Sequence, residues 1–245
     1  MSRRGWLRDR LVRMQTAETF GTGVVPLLAP AIRRARLLAW QGIDVVIDVG
    51  ANAGQYGRSV REGGYDGRIV SFEPLSAAFE QLASATSDDG RWECRQLALG
   101  SRPGAASLNV SGDLEASSIL AMEERHVRHW PPSEYVGTEA VTVERLDTVA
   151  AELIGPGDRA YLKVDVQGYE LEVLAGAHGL LPQVVAVEAE LSLVPLYRDG
   201  PLYRDVIEAL VARGFDLVSI EGITEEPETG HMLQLDGVFV RRDSD

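Results

Sequence analysis

At 245 residues and 26.7 kDa the chain can bury roughly 70–75% of the surface that its unfolded form exposes, so a sizeable core is expected. A composition of 45% hydrophobic and 25% charged residues excludes a collagen, a wholly disordered chain and a disulfide scaffold, and the lone Cys94 has no partner for an internal bridge. The formal charge of −13 makes nucleic acid an unsuitable partner for the body of the protein.

No apolar run reaches the ~18 residues of a membrane span, and the best stretch, 20–32, is interrupted by Pro26 and Pro30. The start of the chain lacks an apolar run leading to a small-residue cleavage site, so a soluble cytoplasmic protein is expected. Charge is unevenly spread: before Asp44, eight arginines face only Asp9 and Glu18. Residues 1–42 therefore read as a basic extension ahead of an acidic body. Within it, 6–14 and 26–41 place apolar residues at helical spacing around the breaker Gly21-Thr22-Gly23, which predicts two short helices. Trp6 and the arginines allow two uses, a solvated amphipathic face or peripheral contact with an anionic membrane or substrate.

From Ile43 onward, short β-rich runs alternate with helix-length segments, the pattern of an α/β domain spanning 43–242. Buried strands are predicted at 43–48, 68–73, 91–96, 159–164 and 183–188, because parallel strands covered on both faces read as near-continuous apolar runs. The segment 202–213 aligns Leu202, Val206, Ile207 and Leu210 on one helical face and stops at Gly214. Two last strands, 215–220 and 233–240, follow with no helix of similar length between them. The expected fold is Rossmann-like: a mostly parallel seven-stranded sheet with an antiparallel last strand and helices on both faces. Residues 100–145 break the rhythm, with β-like pieces at 105–110 and 138–143, and read as an insertion covering the carboxyl edge of the sheet. No repeat and no second core are apparent.

Three local patterns carry chemistry. The run 45–55 is a buried strand entering a small-residue turn and then a helix, where Gly50 and Gly54 permit unusual backbone angles and close approach to a ligand. Glu73 ends the next strand, placed to accept hydrogen bonds from both hydroxyls of a ribose. The dinucleotide fingerprint wants glycine where Asn52 and Gln55 stand, so a pyrophosphate cradle is disfavoured and Asp-x-Gly-x-x-x-Gly with a downstream Glu fits S-adenosylmethionine better. Third, Lys163, the only lysine, and Asp165 lie two apart and share a strand face at its carboxyl end. They form either a structural ion pair or part of a site, since opposite charges there are costly to bury unless they pair or meet a substrate.

The succession Asp-Val-Gly-Ala-Asn-x-Gly at 48–54, Phe-Glu-Pro at 72–74, Ala-Leu-Gly at 98–100, Arg-Leu-Asp at 145–147, Lys-Val-Asp-Val-Gln-Gly-Tyr-Glu at 163–170 and Leu-Asp-Gly-Val-Phe-Val at 235–240 resembles the FkbM family of S-adenosylmethionine-dependent O-methyltransferases. Gln167 departs from the glutamate usual there. The resemblance covers about 43–242 and implies methyl transfer to a hydroxyl of a sugar, polyketide or lipid-linked glycan, here a deoxyhexose such as fucose or rhamnose on a glycolipid or glycosylated metabolite. It implies that Asp48, Gly50, Asn52 and Gly54 surround the methionine part of the cofactor, that Glu73 holds its ribose, and that Ala98 and Leu99 lie against its adenine. It supports Lys163 and Asp165 as active-site residues. Chemistry makes Asp165 the first choice as base, because a carboxylate within reach can take the hydroxyl proton as the bond forms.

Glu188 and Glu190, at the end of the fifth strand, read as either a second base and a sugar-hydroxyl acceptor or a solvated strand end. Asp165 with these two could hold a divalent cation through oxygen ligands, but no compact ligand motif supports a metal. Ser117 and Ser118 belong to a serine-containing segment that the resemblance places against substrate. His126 and His129 share a helical face and are expected as exposed lid residues. His178 reads as a helix-end residue and His231 as a loop residue and outside candidate for base or substrate contact. Trp130 and Tyr135 offer an aromatic floor for a sugar ring or pack the lid, Arg145 and Asp147 an ion pair bracing a local helix, and Asp236 a structural role. Two rival readings use the same turn: a nicotinamide-dependent oxidoreductase, and a non-catalytic cofactor-binding module.

Overall fold

Four Val/Ile/Leu-rich, largely buried runs build the centre of the molecule, as expected of strands covered on both faces, while the predicted strand over 91–96 reads WECR at 92–95 and leaves Glu93 exposed. The structure, a computed structural model, describes residues 30–155, 157–226 and 229–242. The helix predicted over 6–14 lies outside them, with the rest of the basic segment proposed to contact a membrane. Strands β1 (Val45–Val49), β2 (Arg68–Phe72) and β3 (Trp92–Arg95) pair in parallel. On the other side β1 pairs with β7 (Ala160–Val164) and β7 with β8 (Val184–Ser192), again in parallel. A final hairpin of β9 (Phe215–Glu225) and β10 (Met232–Arg241) inserts β10 antiparallel to β8. The sheet order is β3-β2-β1-β7-β8-β10-β9, the expected mostly parallel, seven-stranded arrangement. Among the described residues no helix is long and apolar enough to cross a membrane.

One face of the sheet carries Val46, Ile69 and Tyr161 and is covered by α1 (Pro30–Trp40), α2 (Gln55–Gly63) and α3 (Ser76–Thr86). The other carries Ile47, Leu162 and Val187 and is covered by α5 (Leu146–Ala150), α6 (Glu170–Gly176) and α7 (Tyr203–Val211). Helix α7 turns Val206 and Leu210 inward and ends at Val211, two residues short of the predicted end, with Gly214 at φ +85° closing the turn that follows. Helix α1 corrects the reading of residues 1–42 as a separate extension. Its Leu38 is 1% exposed and packs with Ile43 and Val46, so this helix belongs to the domain behind it.

The insertion is a β-hairpin of β5 (Gly104–Ser111) and β6 (Tyr135–Glu144), with the short helix α4 (Glu124–His129) in its excursion. With β4 (Ala98–Leu99) it makes a second, three-stranded sheet. That sheet has its own small cluster, Leu75, Ala98, Leu108, Val141 and Val143, where the sequence shows no second core. Its hydrophobic residues are too widely spaced along the chain to be read together.

Candidate active site

The carboxyl ends of β1, β2, β7 and β8, with β10 and the hairpin, enclose a cleft of about 810 Å³. This is where open α/β sheets bind ligands, and the volume suits a cofactor with an acceptor beside it.

The turn after β1 is held rigid by its own hydrogen bonds. The N–H groups of Gly50 and Ala51 both donate to the carbonyl of Phe72 at 3.0 Å, and the Asn52 N–H donates to Glu73 Oε2 at 2.8 Å. These donors are spent within the fold, so the turn is no pyrophosphate cradle. Gly50 is required by a close approach of backbone rather than of ligand: at φ +79° a Cβ would sit 1.7 Å from the carbonyl oxygen of Asp165. Gly54 does not line the cleft; it packs toward Leu82 and Trp92, which lie 3.0 and 3.3 Å from where a Cβ would stand. Gly50 and Asn52 line the cleft, as do Ala98 and Leu99. Glu73 also accepts from the Leu75 N–H at 2.8 Å. Burial pushes its carboxyl up to about 7 against the pull of those two backbone donors.

A row of polar side chains crosses the sheet beneath this turn, set by strand register: Ser71 beside Asp48, Asp48 beside Lys163, Lys163 beside Glu188. Asp48 is fully buried and does not reach the cleft. It accepts from Ser71 Oγ at 3.0 Å, and its other oxygen stands 3.7 Å from Lys163 Nζ with no hydrogen bond. Burial raises its pKa and the lysine opposes that. Lys163 Nζ donates to Asp165 Oδ2 at 3.1 Å and to the Gly50 carbonyl at 3.3 Å, and lies 5.4 Å from the centre of the Tyr56 ring. Burial alone would lower its pKa, but Asp165 and Asp48 outweigh burial and hold it charged.

Glu188 is not at a strand end, because β8 continues to Ser192, and it is 1% exposed rather than in the cleft. It accepts hydrogen bonds from Arg34 Nε at 2.6 Å and from the hydroxyls of Tyr56 and Tyr161 at 2.7 Å each. Three donors at one carboxylate satisfy it inside the sheet, and its absence from the cleft lining keeps it from a substrate. Glu190, two residues on, does line the cleft. Burial and the neighbouring Asp165, Glu170 and Asp236 push its pKa well up.

Gln167 joins these groups. Held at φ +54°, it donates through Nε2 to Asp165 Oδ1 at 2.9 Å and to both oxygens of Glu190 at 3.1–3.2 Å. Its side-chain oxygen accepts from the Tyr197 hydroxyl at 2.6 Å. The amide thus occupies the space between two carboxylates, and the departure from glutamate at this position supplies a donor where a third acid would repel. Among the described residues no group of three or more His, Cys, Asp or Glu is arranged to hold a metal ion.

The hairpin forms the outer wall. Ser117 lines the cleft, whereas Ser118 is buried behind it and donates to the Gln167 backbone carbonyl at 2.7 Å. Gln55 donates to Glu115 at 3.0 Å, linking α2 to the hairpin. The two histidines of α4 are not exposed lid residues: both line the cleft. His126 is 9% exposed, sits edge-on to Tyr197 and is kept neutral by burial, while His129 Nε2 lies 2.7 Å from Glu226. Trp130 lines the cleft with its indole N–H on Asp113 at 2.7 Å; Tyr135 does not, and its hydroxyl donates to the Leu120 carbonyl. His231 is exposed in the loop before β10, away from the cleft. Arg145 and Asp147 do pair at 2.7 Å, and Asp147 also receives the Gly179 and Leu180 N–H groups.

Asp236 corrects the structural role read for it, because it lines the cleft. Arg34 of α1 reaches over to it at 3.0 Å while holding Glu188. Arg34 gives no signal in the sequence, being one of several arginines on a helical face. Gln234 could have been found by strand alternation, since it shares a face with Asp236 two residues on.

The cleft at the carboxyl edge of this Rossmann-like sheet thus carries Glu73 just after β2, Lys163 near the end of β7 and Asp165 just beyond it. Residues 48–217 match the Methyltransferase FkbM domain, and the chain belongs to that family. Methyl transfer in this family draws on S-adenosylmethionine. The nicotinamide oxidoreductase and the non-catalytic module are thereby set aside. No sequence among curated proteins matches the chain. Similar solved structures include magnesium protoporphyrin IX methyltransferase from Synechocystis PCC 6803 with bound SAM (12% identity, 99% of this chain and 98% of that one, TM-score 0.46). An rRNA methylase from Streptococcus thermophilus (9%, 89% and 99%, 0.47) and fibrillarin from Aeropyrum pernix with natively bound S-adenosyl-L-methionine (11%, 84% and 75%, 0.44) are others. Likeness at this level says nothing about the acceptor.

The cleft fits the cofactor. Glu73 would be the acceptor for the ribose hydroxyls, Phe72, Leu97 and Leu99 would offer an apolar side to adenine, and the excess of lining carboxylates over Arg34 and Lys163 would suit a sulfonium cation.

Proposed function

We propose that the protein is an O-methyltransferase acting on a hydroxyl of a sugar, a deoxyhexose such as fucose or rhamnose, carried by a glycolipid or glycosylated metabolite. The observation that carries this reading is Asp165: it lines the cleft with Oδ2 held by Lys163 and Oδ1 by Gln167, its side chain 29% exposed. A carboxylate so oriented can receive a hydroxyl proton without first reorganising. Around it, Glu190, Asp236, Gln234 and Ser117 offer hydrogen bonds and Trp130 an apolar ring, a lining suited to a polyhydroxyl. The same acids disfavour a phosphate-rich acceptor such as RNA.

S-adenosylmethionine supplies a methyl group already activated by its sulfonium. The chain's task is then to hold the acceptor oxygen in line, an effect that can contribute ~7–11 kcal/mol, and to accept its proton at Asp165. Lys163 keeps Asp165 aimed, and Asp48 keeps Lys163 in place. The basic segment ahead of Pro30 is assigned to peripheral contact with anionic lipid or a lipid-linked acceptor, placing the enzyme at the inner face of a membrane. Deleting residues 1–20 should then reduce vesicle binding while sparing turnover of soluble acceptors; unchanged vesicle binding refutes the assignment.

The test of the reaction is transfer of a labelled methyl group to rhamnosyl and fucosyl acceptors by the wild type and by Asp165→Asn. Turnover should fall at least ~100-fold in the variant, with S-adenosylhomocysteine affinity changed less than about threefold. An Asp165→Asn enzyme of full activity removes the assigned base.

A further inference from the structure

The wall of the cleft contributed by β10 lies outside residues 48–217 and holds a polar group with nothing to bind. Gln234 is 5% exposed and lines the cleft, and its Nε2 has no hydrogen-bond partner among the described residues. A buried amide donor left unpaired is a standing cost, rarely kept without a use. Its neighbour Leu233 is 2% exposed in a cluster with Leu196 and Tyr197, which fixes the strand at this point.

Two residues on, at a strand rise of about 6.5–7 Å, Asp236 faces the same cleft. Its carboxylate is not free to swing, because Arg34 Nη2 holds Oδ2 at 3.0 Å while the same guanidinium is fixed on Glu188. Arg34 is itself steadied by Glu221 at 3.4 Å, with Arg33 on that glutamate at 2.8 Å. Opposite Asp236 across the ladder stands Glu190. The strand therefore places one anchored acceptor and one carboxamide with an unmet donor two residues apart along the wall of the cleft, where a turn of the amide about its last torsion brings that sealed donor to a ligand.

We propose that Asp236 and Gln234, with Arg34 as the positioning residue, form the recognition subsite for two neighbouring oxygens of the acceptor: Asp236 accepts from one hydroxyl and the Gln234 carboxamide donates to the next. The inference rests on the sugar O-methyltransferase reading and names the feature it selects, a pair of adjacent oxygens beside the methylated hydroxyl. The subsite explains why α1, which precedes the matched family stretch, is built into the sheet. It carries the cation that keeps Asp236 aimed.

The experiment compares the wild type with Gln234→Ala, Arg34→Lys and Arg34→Met, using methyl α-L-rhamnopyranoside and methyl α-L-fucopyranoside as probes alongside a catechol and a hydroxy fatty acid. In the S-adenosylhomocysteine complex, the side-chain amide resonance of Gln234 should shift on addition of a bound probe. Gln234→Ala should raise KM about tenfold with kcat within about threefold, the effect of one lost hydrogen bond, and should lose the wild type's preference for a probe over its deoxy analogue. Arg34→Met should raise KM and displace the acid limb of the pH profile, with Arg34→Lys restoring most of both. An unchanged KM in Gln234→Ala, or a resonance unmoved at saturation, overturns the subsite. If only the catechol or fatty acid is methylated, the sugar reading falls, and the same variant measured on that acceptor decides the subsite separately. A wild type that neither binds nor methylates any probe removes both.

Discussion

Replacing Glu73 with glutamine tests both the cofactor site and the electrostatics that tune it. In the native protein burial lifts this carboxyl from 4.5 to about 7. Because the folded protein binds the proton more tightly than the unfolded chain, it holds more protons between about pH 4.5 and 7. Stability must therefore fall as pH rises across that window and level off above it. A displacement of about two and a half pH units at ~1.4 kcal/mol each amounts to about 3 kcal/mol. The carboxamide of the Glu73→Gln variant cannot titrate, so that slope should vanish, leaving the contributions common to both proteins. The amide has one acceptor to offer the Asn52 and Leu75 N–H groups where the carboxylate offers two, which costs about 1–3 kcal/mol of the gain from removing a buried charge. Ribose hydroxyls need the ionised form, so S-adenosylhomocysteine affinity in the wild type should weaken toward tenfold per pH unit below about 7. In Glu73→Gln it should be roughly 30–100-fold weaker at pH 8 and nearly independent of pH. Urea unfolding and calorimetric titration at pH 5.5, 7 and 8.5 supply both curves. Parallel curves for the two proteins would refute the reasoning.

Lys163→Met strands the fully buried Asp48 and should destabilise the fold by about 3 kcal/mol or more at pH 8, and by less as the pH falls, since burial raises the Asp48 pKa and protonation relieves the stranded charge; denaturant unfolding across pH measures it. Gln167→Glu puts a third acid within 2.9–3.2 Å of Asp165 and Glu190. Its melting temperature should drop by roughly 2–4 °C for each kcal/mol of repulsion and recover with millimolar Mn²⁺, to which the wild type is indifferent; a variant unmoved by Mn²⁺ shows that the three groups do not converge. Gly50→Ala drives a methyl into the Asp165 carbonyl and should fail to yield folded protein, as judged by circular dichroism.

The sheet was legible because parallel strands advertise themselves as unbroken apolar runs: Val45–Val49 and Ala160–Val164 needed little more than reading. The end of β8 was not. Glu188 and Glu190 look like the start of a loop, yet the strand runs through both because Arg34, Tyr56, Tyr161 and Gln167 supply donors from distant segments. Lys163 and Asp165 could be paired from their spacing along one strand. Asp48 and Lys163 could not, since only the register of β1 against β7 sets them side by side. The same holds for Ser117 and Ser118: neighbours in sequence, they part at the hairpin, one into the cleft and one onto the Gln167 backbone carbonyl. What sequence patterns miss here is long-range polar pairing, which has no period.

Lys163 also makes the cleft chemically addressable. It carries the sequence's only side-chain primary amine, and that amine is sealed at 7% exposure among Asp48, Asp165 and the Tyr56 ring. Acylating reagents that decorate most proteins at many lysines have a single side-chain target in this one, on the wall of the cleft. Protection of that amine by cofactor therefore reports occupancy without any acceptor in hand.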